Sequence, residues 1–323
     1  MIKLIASDLD GTLLHNGAQE LTPRAIELIH ELTQKGVHFV AASGRQYDNE
    51  RRLFSEIKDE ISYIGENGSI CIHQGKVISR GIITDDLAYR IIDEVKKSPN
   101  FDILISREDA CLIEDHHEAF VNHIVNVMQN TTKIVDDLSK IEGPFLKIAI
   151  CNMIDDTKVI MQYLEHLQEM FGAEIKVVTS GNIWIDFIAP GTNKGAALSN
   201  LMKLFHVKPE ECMAFGDQQN DLEMLELVGH SYAMSNSAPG VSYYADEVTD
   251  FWKMSWQVLI SKYHLQTLLV RNKKLPNVHR NFCMNIRESF YSISSLNSRT
   301  AYGFACSSQS STTILSASSL SFG

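Results

Sequence analysis

The amino-acid sequence predicts an α/β fold in which a doubly wound parallel sheet is interrupted by an inserted α+β unit. Two short apolar runs, Ile2–Ser7 and Val37–Ala42, have the character of buried strands. The segment between them has Thr22-Pro23 at the start of a predicted helix and Gly36 just after its end, the usual placement of proline and glycine around a helix. This strand–helix–strand order is typical of a parallel sheet.

The segments that follow, as far as Ile78, continue the same alternation of strands and helices. We therefore expect the first 80 residues to form half of a parallel, doubly wound sheet. Ligands of such sheets lie at the carboxyl ends of the strands. Functional side chains are expected at that edge.

The order of elements changes from about Asp85 and returns to the first pattern after Pro190-Gly191. Between these points the predicted elements are a helix at 85–97, strands at 101–106 and 110–114, a helix, a strand at 145–151, a helix at 155–171 and strands at 175–179 and 183–188. Afterwards they are a helix at 193–205, a strand at 212–215, a helix within 221–228 and a strand at 231–234. The simplest topology is one core interrupted by an inserted domain.

The domain boundaries follow from these changes of pattern. We expect a core formed by residues 1–82 and 188–250, extending to about 265, with residues 83–187 as the inserted domain. Residues 289–323 contain 13 serines in 35 positions and show no clear period. We therefore expect residues 266–323 to form a poorly ordered tail.

The net charge of −11 is unevenly distributed along the chain. Residues 1–250 carry 21 basic and 39 acidic side chains, whereas residues 251–323 carry 8 basic and 1 acidic. An acidic body argues against nucleic-acid binding. It also means that a phosphorylated substrate would need a metal ion or a local lysine to reverse the field at its site.

The six cysteines lie far apart and form no C-x-x-C pair, so they suggest neither a disulfide framework nor a zinc site. A reduced, cytoplasmic setting is expected. The first apolar run is too short for a signal peptide, and no later segment reaches the roughly 20 apolar residues that a membrane span needs. No membrane association is expected, and the sequence does not indicate an oligomeric state.

The strongest chemical signal is Asp8-Leu9-Asp10-Gly11-Thr12, which directly follows the first predicted strand. A two-residue spacing at a strand end can direct both carboxylates the same way, and Gly11 lets the chain turn after them. Like charges about 4 Å apart repel by about 4 kcal/mol at an effective dielectric constant of about 20. The pair therefore implies a divalent cation or a shared proton, although a polar turn or a calcium-type loop has the same pattern.

Three further polar segments follow predicted strands or begin predicted helices. Ala42–Arg45 places a hydroxyl and backbone N–H groups where they could hold a phosphate oxygen, although a helix N-cap has the same sequence. Lys194 begins a helix, where the helix dipole disfavours a cation unless an anion is present; a solvated surface lysine is the alternative. Gly216–Asp221 adds two carboxylates and an amide, or simply caps a helix.

Together these segments resemble the motifs of the haloacid dehalogenase-like phosphatases, and within them the Cof-type sugar-phosphatase group. The motifs occur in the family's order as D-L-D-G-T at 8–12, A-S-G-R at 42–45, E-N-G-S at 66–69, G-T-N-K-G at 191–195 and G-D-x-x-N-D-x-x-M-L at 216–225. The resemblance covers residues 1–250 and implies a Rossmann-like core with an inserted α/β cap. Gln218 departs from the glycine that the family commonly has at that position.

The resemblance also implies a role for each motif residue. Asp8 would be the nucleophile, and Asp10 would be the general acid and then the base, protonated at first because it lies beside other negative groups. The residues implied to contact phosphate are Leu9, Ser43, Gly44, Lys194 and Asn220. Those implied to surround Mg²⁺ are Asp8, Asp10 and Asp217, with Asp221 behind them or in contact through water.

We therefore predict a Mg²⁺-dependent phosphatase of small phosphorylated metabolites that forms an aspartyl-phosphate. A phosphomutase or phosphotransferase uses the same intermediate, and a phospho-aspartate receiver or metabolite-binding module also gathers aspartates and a lysine on a doubly wound sheet. Sugar phosphates, phosphorylated cofactor precursors and pyridoxal phosphate are candidate substrates, and no residue decides among them. Substrate choice is expected to depend on cap side chains that face the core, with hinges near Gly81 and Pro190.

Overall fold

The structure is a computed structural model that describes residues 1–15, 18–154, 156–180 and 183–250. The predicted serine-rich tail lies outside these residues. The described residues form two β-sheets within one compact unit. Among them, no helix combines the length and the apolar character needed to cross a membrane.

The first part of the chain enters the larger sheet. In chain order it forms β1 (Leu4–Ser7), α1 (Pro23–Gln34), β2 (His38–Ala42), α2 (Tyr47–Leu53), β3 (Ser62–Gly65), β4 (Ile70–His73) and β5 (Lys76–Arg80). The Thr22 side chain accepts a hydrogen bond from the Ala25 N–H at 3.2 Å. Helix α1 therefore begins with the cap and the proline that the sequence indicated.

The middle of the chain forms the smaller sheet and its helices. The elements are α3 (Asp85–Val95), β6 (Asp102–Ser106), β7 (Cys111–Ile113), α4 (Glu118–Asn122), β8 (Thr132–Ile134), β9 (Lys147–Cys151), α5 (Thr157–Phe171), β10 (Lys176–Ser180) and β11 (Trp184–Ile188). Strand β8 was not predicted, because its residues are partly or fully exposed and form no apolar run.

The chain then returns to the larger sheet. The last elements are α6 (Lys194–Phe205), β12 (Cys212–Gly216), α7 (Leu222–Leu227), β13 (His230–Met234) and β14 (Glu247–Thr249). The Asn193 side chain accepts a hydrogen bond from the Ala196 N–H at 2.7 Å and caps α6. This cap fixes Lys194 as the first residue of the helix.

The larger sheet has the strand order β14-β13-β12-β1-β2-β3-β4-β5. From β14 to β3 all neighbours are parallel. Helix α1 packs on one face through Ile26 and Ile29, whereas α6 and α7 pack on the other through Leu198 and Met224. The predicted doubly wound sheet is confirmed.

The predicted alternation of strands and helices as far as Ile78 is wrong after β3. Strands β3, β4 and β5 form an antiparallel meander instead. The two residues between β4 and β5, Gln74 and Gly75, both have positive φ angles, as a tight hairpin turn requires. Connections this short cannot carry the crossover that parallel pairing needs.

The smaller sheet has the strand order β10-β11-β9-β6-β7-β8 and is antiparallel except for the β7–β8 pair. Helices α3 and α5 pack against one face, where Ile91 and Leu164 share a core with Phe187. The opposite face, which carries Ala149 and Trp184, lies towards the larger sheet and lines a cavity there. The inserted α+β unit of the predicted fold class is thus present.

Candidate active site

The carboxyl edge of the larger sheet gathers the polar residues that the sequence singled out. Asp8 follows β1, Ser43 follows β2 and Asp217 follows β12, while Lys194 begins α6. Strand β1 pairs in parallel with β2 on one side and with β12 on the other. Parallel pairing brings the three strand ends to the same edge, so residues distant in the sequence meet there.

Lys194 is a fully buried cation held between two carboxylates. Its Nζ lies 2.6 Å from Asp8 Oδ1 and 2.6 Å from Asp221 Oδ1. Burial by itself would lower the pKa of Lys194, but Asp221 and Asp8 outweigh burial and raise that pKa. The lysine is therefore charged despite its place at a helix N-terminus, and the surface-lysine alternative is excluded.

Asp221 has both carboxylate oxygens engaged. Oδ1 accepts from Lys194, while Oδ2 accepts from the backbone N–H groups of Asp217 and Gln218, each at 2.9 Å. These bonds fold the loop after β12 around the Asp221 carboxylate. Asp221 thus orients the lysine and the Asp217 loop at the same time.

Asp8, Asp217 and Asp221 form a buried carboxylate cluster. One oxygen of each lies within 4.8 Å of the others. Asp8 Oδ2 is buried and accepts no hydrogen bond among the described residues. Burial raises the pKa of Asp8 well above its usual value; Lys194 lowers this pKa in part, and the charge of Asp221 raises it further. Burial also raises the pKa of Asp217. Oxygen ligands gathered in this way fit a divalent cation such as Mg²⁺.

Gly11 makes room for this cluster. Its φ angle is +89°, and a Cβ atom at this position would lie 2.2 Å from Asp217 Oδ2. Asp217 is also held by Thr12, whose Oγ1 donates to Asp217 Oδ1 at 3.1 Å, and by Gln218, whose Nε2 donates to Oδ2 at 3.0 Å. The D-x-D-G-T segment therefore supplies a close approach and an orienting hydroxyl as well as its two carboxylates.

Asp10 has different neighbours from those we expected. Its carboxylate is about half exposed and accepts two hydrogen bonds from Arg45, from Nε at 2.7 Å and from Nη2 at 2.6 Å. The side chain in contact with the Asp10 carboxylate is thus a cation, whereas we expected negative groups beside it, and the role of Asp10 as general acid and base stays a prediction. The hydrogen bond to Asp10 is the main cause that raises the pKa of Arg45.

The residues implied to contact phosphate lie around the same edge, with one difference. Ser43 is buried and its Oγ accepts from the Arg45 N–H at 3.1 Å. The Leu9 side chain is buried in the core beneath the sheet edge, so a phosphate contact could come only from its backbone. A Cβ atom on Gly44 would lie 2.9 Å from Asn67 Oδ1, so a larger residue there would require the Asn67 side chain to shift.

Asn220 is linked to a residue to which sequence reasoning gave no role. Asn220 Nδ2 donates to Asn67 Oδ1 at 2.8 Å, and Asn220 Oδ1 has no partner among the described residues. Asn67 has a φ angle of 58° and lies in the E-N-G-S motif at 66–69. The motif could be seen in the sequence, but the partner of Asn67 could not.

A cavity of about 410 Å³ connects this edge to the smaller sheet. Asp8, Asp10, Ser43 and Asn220 line it on one side. On the other side it is lined by Leu104, Met128, Lys147, Ala149, Trp184 and Asp186. The volume of the cavity falls within the usual range for small-molecule sites. Because residues of both sheets line the cavity, a small ligand bound there would contact both.

The fold and the site agree with one class of enzyme. A family model for haloacid dehalogenase-like hydrolases matches residues 5–253, and the chain belongs to that family. The predicted class, a phosphoric monoester hydrolase, is confirmed by relatives that are named phosphatases.

The chain is similar to two named phosphatases and to a solved crystal structure. The chain is 30% identical over 240 residues to 5-amino-6-(5-phospho-D-ribitylamino)uracil phosphatase YbjI of Escherichia coli, which covers 74% of this chain and 88% of that protein. It is 27% identical over 245 residues to HMP-PP phosphatase of Cronobacter sakazakii, covering 74% and 86%. A crystal structure from Eubacterium rectale superposes with a TM-score of 0.72 at 28% identity, covering 81% of this chain and 99% of that one.

Proposed function

We propose that this chain hydrolyses phosphate monoesters of small metabolites with Asp8 as the nucleophile. The observation that carries the proposal is the environment of Asp8, a buried carboxylate at the cavity with one oxygen on Lys194 and the other unpartnered among the described residues. A carboxylate can attack a phosphoryl group only where positive charge offsets the repulsion between them. Lys194 supplies such charge beside Asp8.

The carboxylate cluster is the proposed Mg²⁺ site. Asp8 and Asp217 are the proposed side-chain ligands, while Asp221 orients them because its oxygens are already engaged. The earlier assignment of Asp10 as a third ligand stays a prediction, since its carboxylate lies on Arg45. When bound, Mg²⁺ supplies positive charge against the phosphoryl oxygens.

The remaining residues suggest a sequence of proton transfers. Asp8 forms a bond to phosphorus as the bond to the leaving oxygen breaks, and Asp10 gives that oxygen its proton. Asp10 then takes a proton from the water that attacks the aspartyl-phosphate, and the bond between phosphorus and Asp8 breaks, which releases phosphate and restores the Asp8 carboxylate. Arg45 can exchange the Asp10 carboxylate for a phosphate oxygen, which frees Asp10 for these transfers. Ser43, Gly44 and Asn220 are proposed to hold the remaining oxygens.

The relatives guide the choice of substrate class. One of them carries the name of a phosphatase for a phosphoribityl-aminouracil. We propose a substrate of similar size, a sugar phosphate or a phosphorylated cofactor precursor, because the cavity holds about 410 Å³. A cytoplasmic location is proposed as well, and the four described cysteines, all buried as free thiols, support it.

The proposal is tested with p-nitrophenyl phosphate and a panel of phosphorylated metabolites in the presence of Mg²⁺. We expect the wild type to release free phosphate, EDTA to stop the reaction, and Asp8→Asn to lower kcat by about 1,000-fold or more. Asp59→Asn, a change at an exposed aspartate, is the matched control. Full activity in folded Asp8→Asn would refute the nucleophile, and transfer to a sugar without free phosphate would favour a phosphotransferase.

A further inference from the structure

A second group of charged residues lies at the cavity, apart from the proposed phosphate site. Lys147 Nζ is 2.6 Å from Glu66 Oε2 and 3.8 Å from Asp186 Oδ2. All three residues are at least nine-tenths buried, and all three line the cavity. We call these three residues the ionic cluster. The mechanism proposed above makes no use of it.

Strand pairing explains why the cluster faces the cavity. In the antiparallel pairing of β9 with β11, Asp186 lies opposite Ala149, and Lys147 lies two residues before Ala149. Side chains two residues apart in a strand point to the same face, so Lys147 and Asp186 share the face of Ala149. Trp184 shares that face for the same reason, since it lies two residues before Asp186. The cavity side of the smaller sheet thus carries an aromatic ring beside an ion pair.

The charges of the cluster do not balance. Two carboxylates surround one ammonium group, which leaves a net charge of −1 in a buried position. Burial by itself would lower the pKa of Lys147, but Asp186 and Glu66 outweigh burial and raise it, so the lysine is charged. Buried ions cost several kcal/mol each unless hydrogen bonds complete their surroundings. Donors from a ligand would complete the surroundings of this cluster.

The distances leave hydrogen-bonding capacity at the cavity. The 3.8 Å separation between Lys147 Nζ and Asp186 Oδ2 is longer than a hydrogen bond. Asn67 Nδ2 lies 3.4 Å from Asp186 Oδ2, which makes a long and weak bond. Lys147 can therefore still donate, and Asp186 can still accept. A pair of hydroxyl groups has the matching acceptor and donor.

The cluster is close to the proposed phosphate site. Asn67 Nδ2 donates to Asp186 Oδ2, and Asn67 Oδ1 accepts from Asn220 Nδ2. A single side chain, that of Asn67, therefore separates the ionic cluster from the proposed phosphate site. Glu66 and Asn67 both adopt left-handed backbone conformations, with φ angles of 51° and 58°. Such conformations cost energy in residues other than glycine and are concentrated at functional sites.

We propose that the ionic cluster binds the hydroxyl groups of the substrate's leaving group, with Lys147 donating to one hydroxyl and Asp186 accepting from its neighbour. The inference rests on the proposed phosphatase function and specifies its substrate class as polyol or sugar phosphates. Trp184 offers a flat apolar face to the C–H side of such a chain. The net negative charge rejects leaving groups that bring a second phosphate or a carboxylate to this position.

The experiment compares two esters with the same five-carbon chain, ribitol 5-phosphate and n-pentyl phosphate. The ratio of their kcat/KM values reports recognition of the hydroxyl groups and is insensitive to the fraction of active enzyme. We expect the wild type to prefer ribitol 5-phosphate by roughly 100-fold or more, because sites built to bind hydroxyls reject analogues that lack them. Asp186→Asn and Lys147→Met should each lower this ratio by at least about tenfold.

Lys97→Met is the matched control, since Lys97 forms an exposed ion pair with Glu94 in the same part of the chain. This variant should keep the wild-type ratio. The inference is overturned if the wild type shows no preference, or if Asp186→Asn and Lys147→Met lose activity towards both esters equally. Failure of the wild type to hydrolyse either ester with Mg²⁺ would instead overturn the proposed phosphatase function.

Discussion

Gly11 shows how one missing side chain can shape a metal site. Its positive φ angle and its contact with Asp217 are separate constraints, and either one favours glycine. Gly36 shares the positive φ angle, at +80°, but has nothing within 4 Å of its missing Cβ atom. The two positions therefore separate the cost of the backbone conformation from the cost of the steric clash.

We predict that Gly11→Ala destabilises the protein more than Gly36→Ala does. Gly36→Ala should cost about 1–2 kcal/mol from the left-handed conformation alone. Gly11→Ala should cost more and should also abolish Mg²⁺-dependent activity, because the new methyl group displaces the Asp217 carboxylate. Urea unfolding and phosphatase assays on both variants provide the measurement. Equal stability losses with activity retained would contradict the prediction.

Glu50 is a carboxylic acid without a counter-charge in contact. It lies in α2 with no exposed surface, and both carboxyl oxygens lack a partner among the described residues. Burial raises its pKa well above the usual value, although Lys194 opposes this. The folded protein therefore holds the Glu50 proton more tightly than the unfolded chain does. The contribution of Glu50 to the free energy of unfolding is fully present below its ordinary pKa near 4.5, and it is lost as the pH rises towards the raised pKa of the folded state.

We therefore predict that Glu50→Gln stabilises the protein at pH 8 and has little effect at pH 4.5. Glutamine has nearly the same shape and no proton to lose. The difference in unfolding free energy between variant and wild type should grow with pH and reach about 1–3 kcal/mol. Urea unfolding at the two pH values measures it, and comparison with the wild type cancels the other titrating groups. A difference that does not change with pH would show that Glu50 ionises normally.

At the scale of elements, α2 with its N-cap residue Gln46 and the segment 129–131 connect the two sheets. Gln46 Nε2 donates to the Thr131 carbonyl at 3.1 Å, and its Oε1 accepts from the Thr131 N–H at 2.8 Å. The Thr131 hydroxyl also donates to Asp48 at 2.8 Å, and Arg52 donates to the Gln129 carbonyl. These bonds hold the smaller sheet against the core on one side of the cavity.

We predict that Gln46→Ala loosens this connection without unfolding either sheet. The Thr131 N–H would lose its partner, whereas the Thr131 carbonyl would keep the hydrogen bond from the Cys111 N–H at 2.8 Å. The expected local cost is about 0.5–1.5 kcal/mol, the usual net contribution of one hydrogen bond. Hydrogen exchange followed by mass spectrometry should show faster exchange in peptides that contain Thr131, and unchanged exchange in peptides from β1. Gln34→Ala on the surface of α1 is the control. Unaltered exchange at Thr131 would mean that the segment is held by other contacts.

At the scale of the whole molecule, stability and metal binding are linked through the carboxylate cluster. A cation that binds only the folded protein stabilises it by about 2.7 kcal/mol at 100 times its dissociation constant. We predict that Mg²⁺ raises the melting temperature of the wild type and of Asp59→Asn, but not that of Asp217→Asn. Thermal unfolding with Mg²⁺ and with EDTA measures this. An equal Mg²⁺ effect in Asp217→Asn would place the cation elsewhere.

The two-sheet architecture also explains which parts of the site were visible in the sequence. Asp8, Ser43 and Asp217 could be assigned because each follows a buried apolar run, and parallel strands bring such ends together. The antiparallel meander of β3, β4 and β5 was not predicted, because a short apolar run has the same pattern in parallel and antiparallel strands. The domain boundaries and the hinges near Gly81 and Pro190 stay predictions.

The sequence alone determined the doubly wound core, the inserted unit and the group of residues at the carboxyl edge, because strand and helix periods and strand-end motifs are local features. The tertiary structure decided which charges meet. The Arg45 bond to Asp10 and the contact of Lys147 with Glu66 and Asp186 depend on the pairing of strands and on how the two sheets face each other. Partners of this kind are set by distances in space, and no local pattern of residues records them.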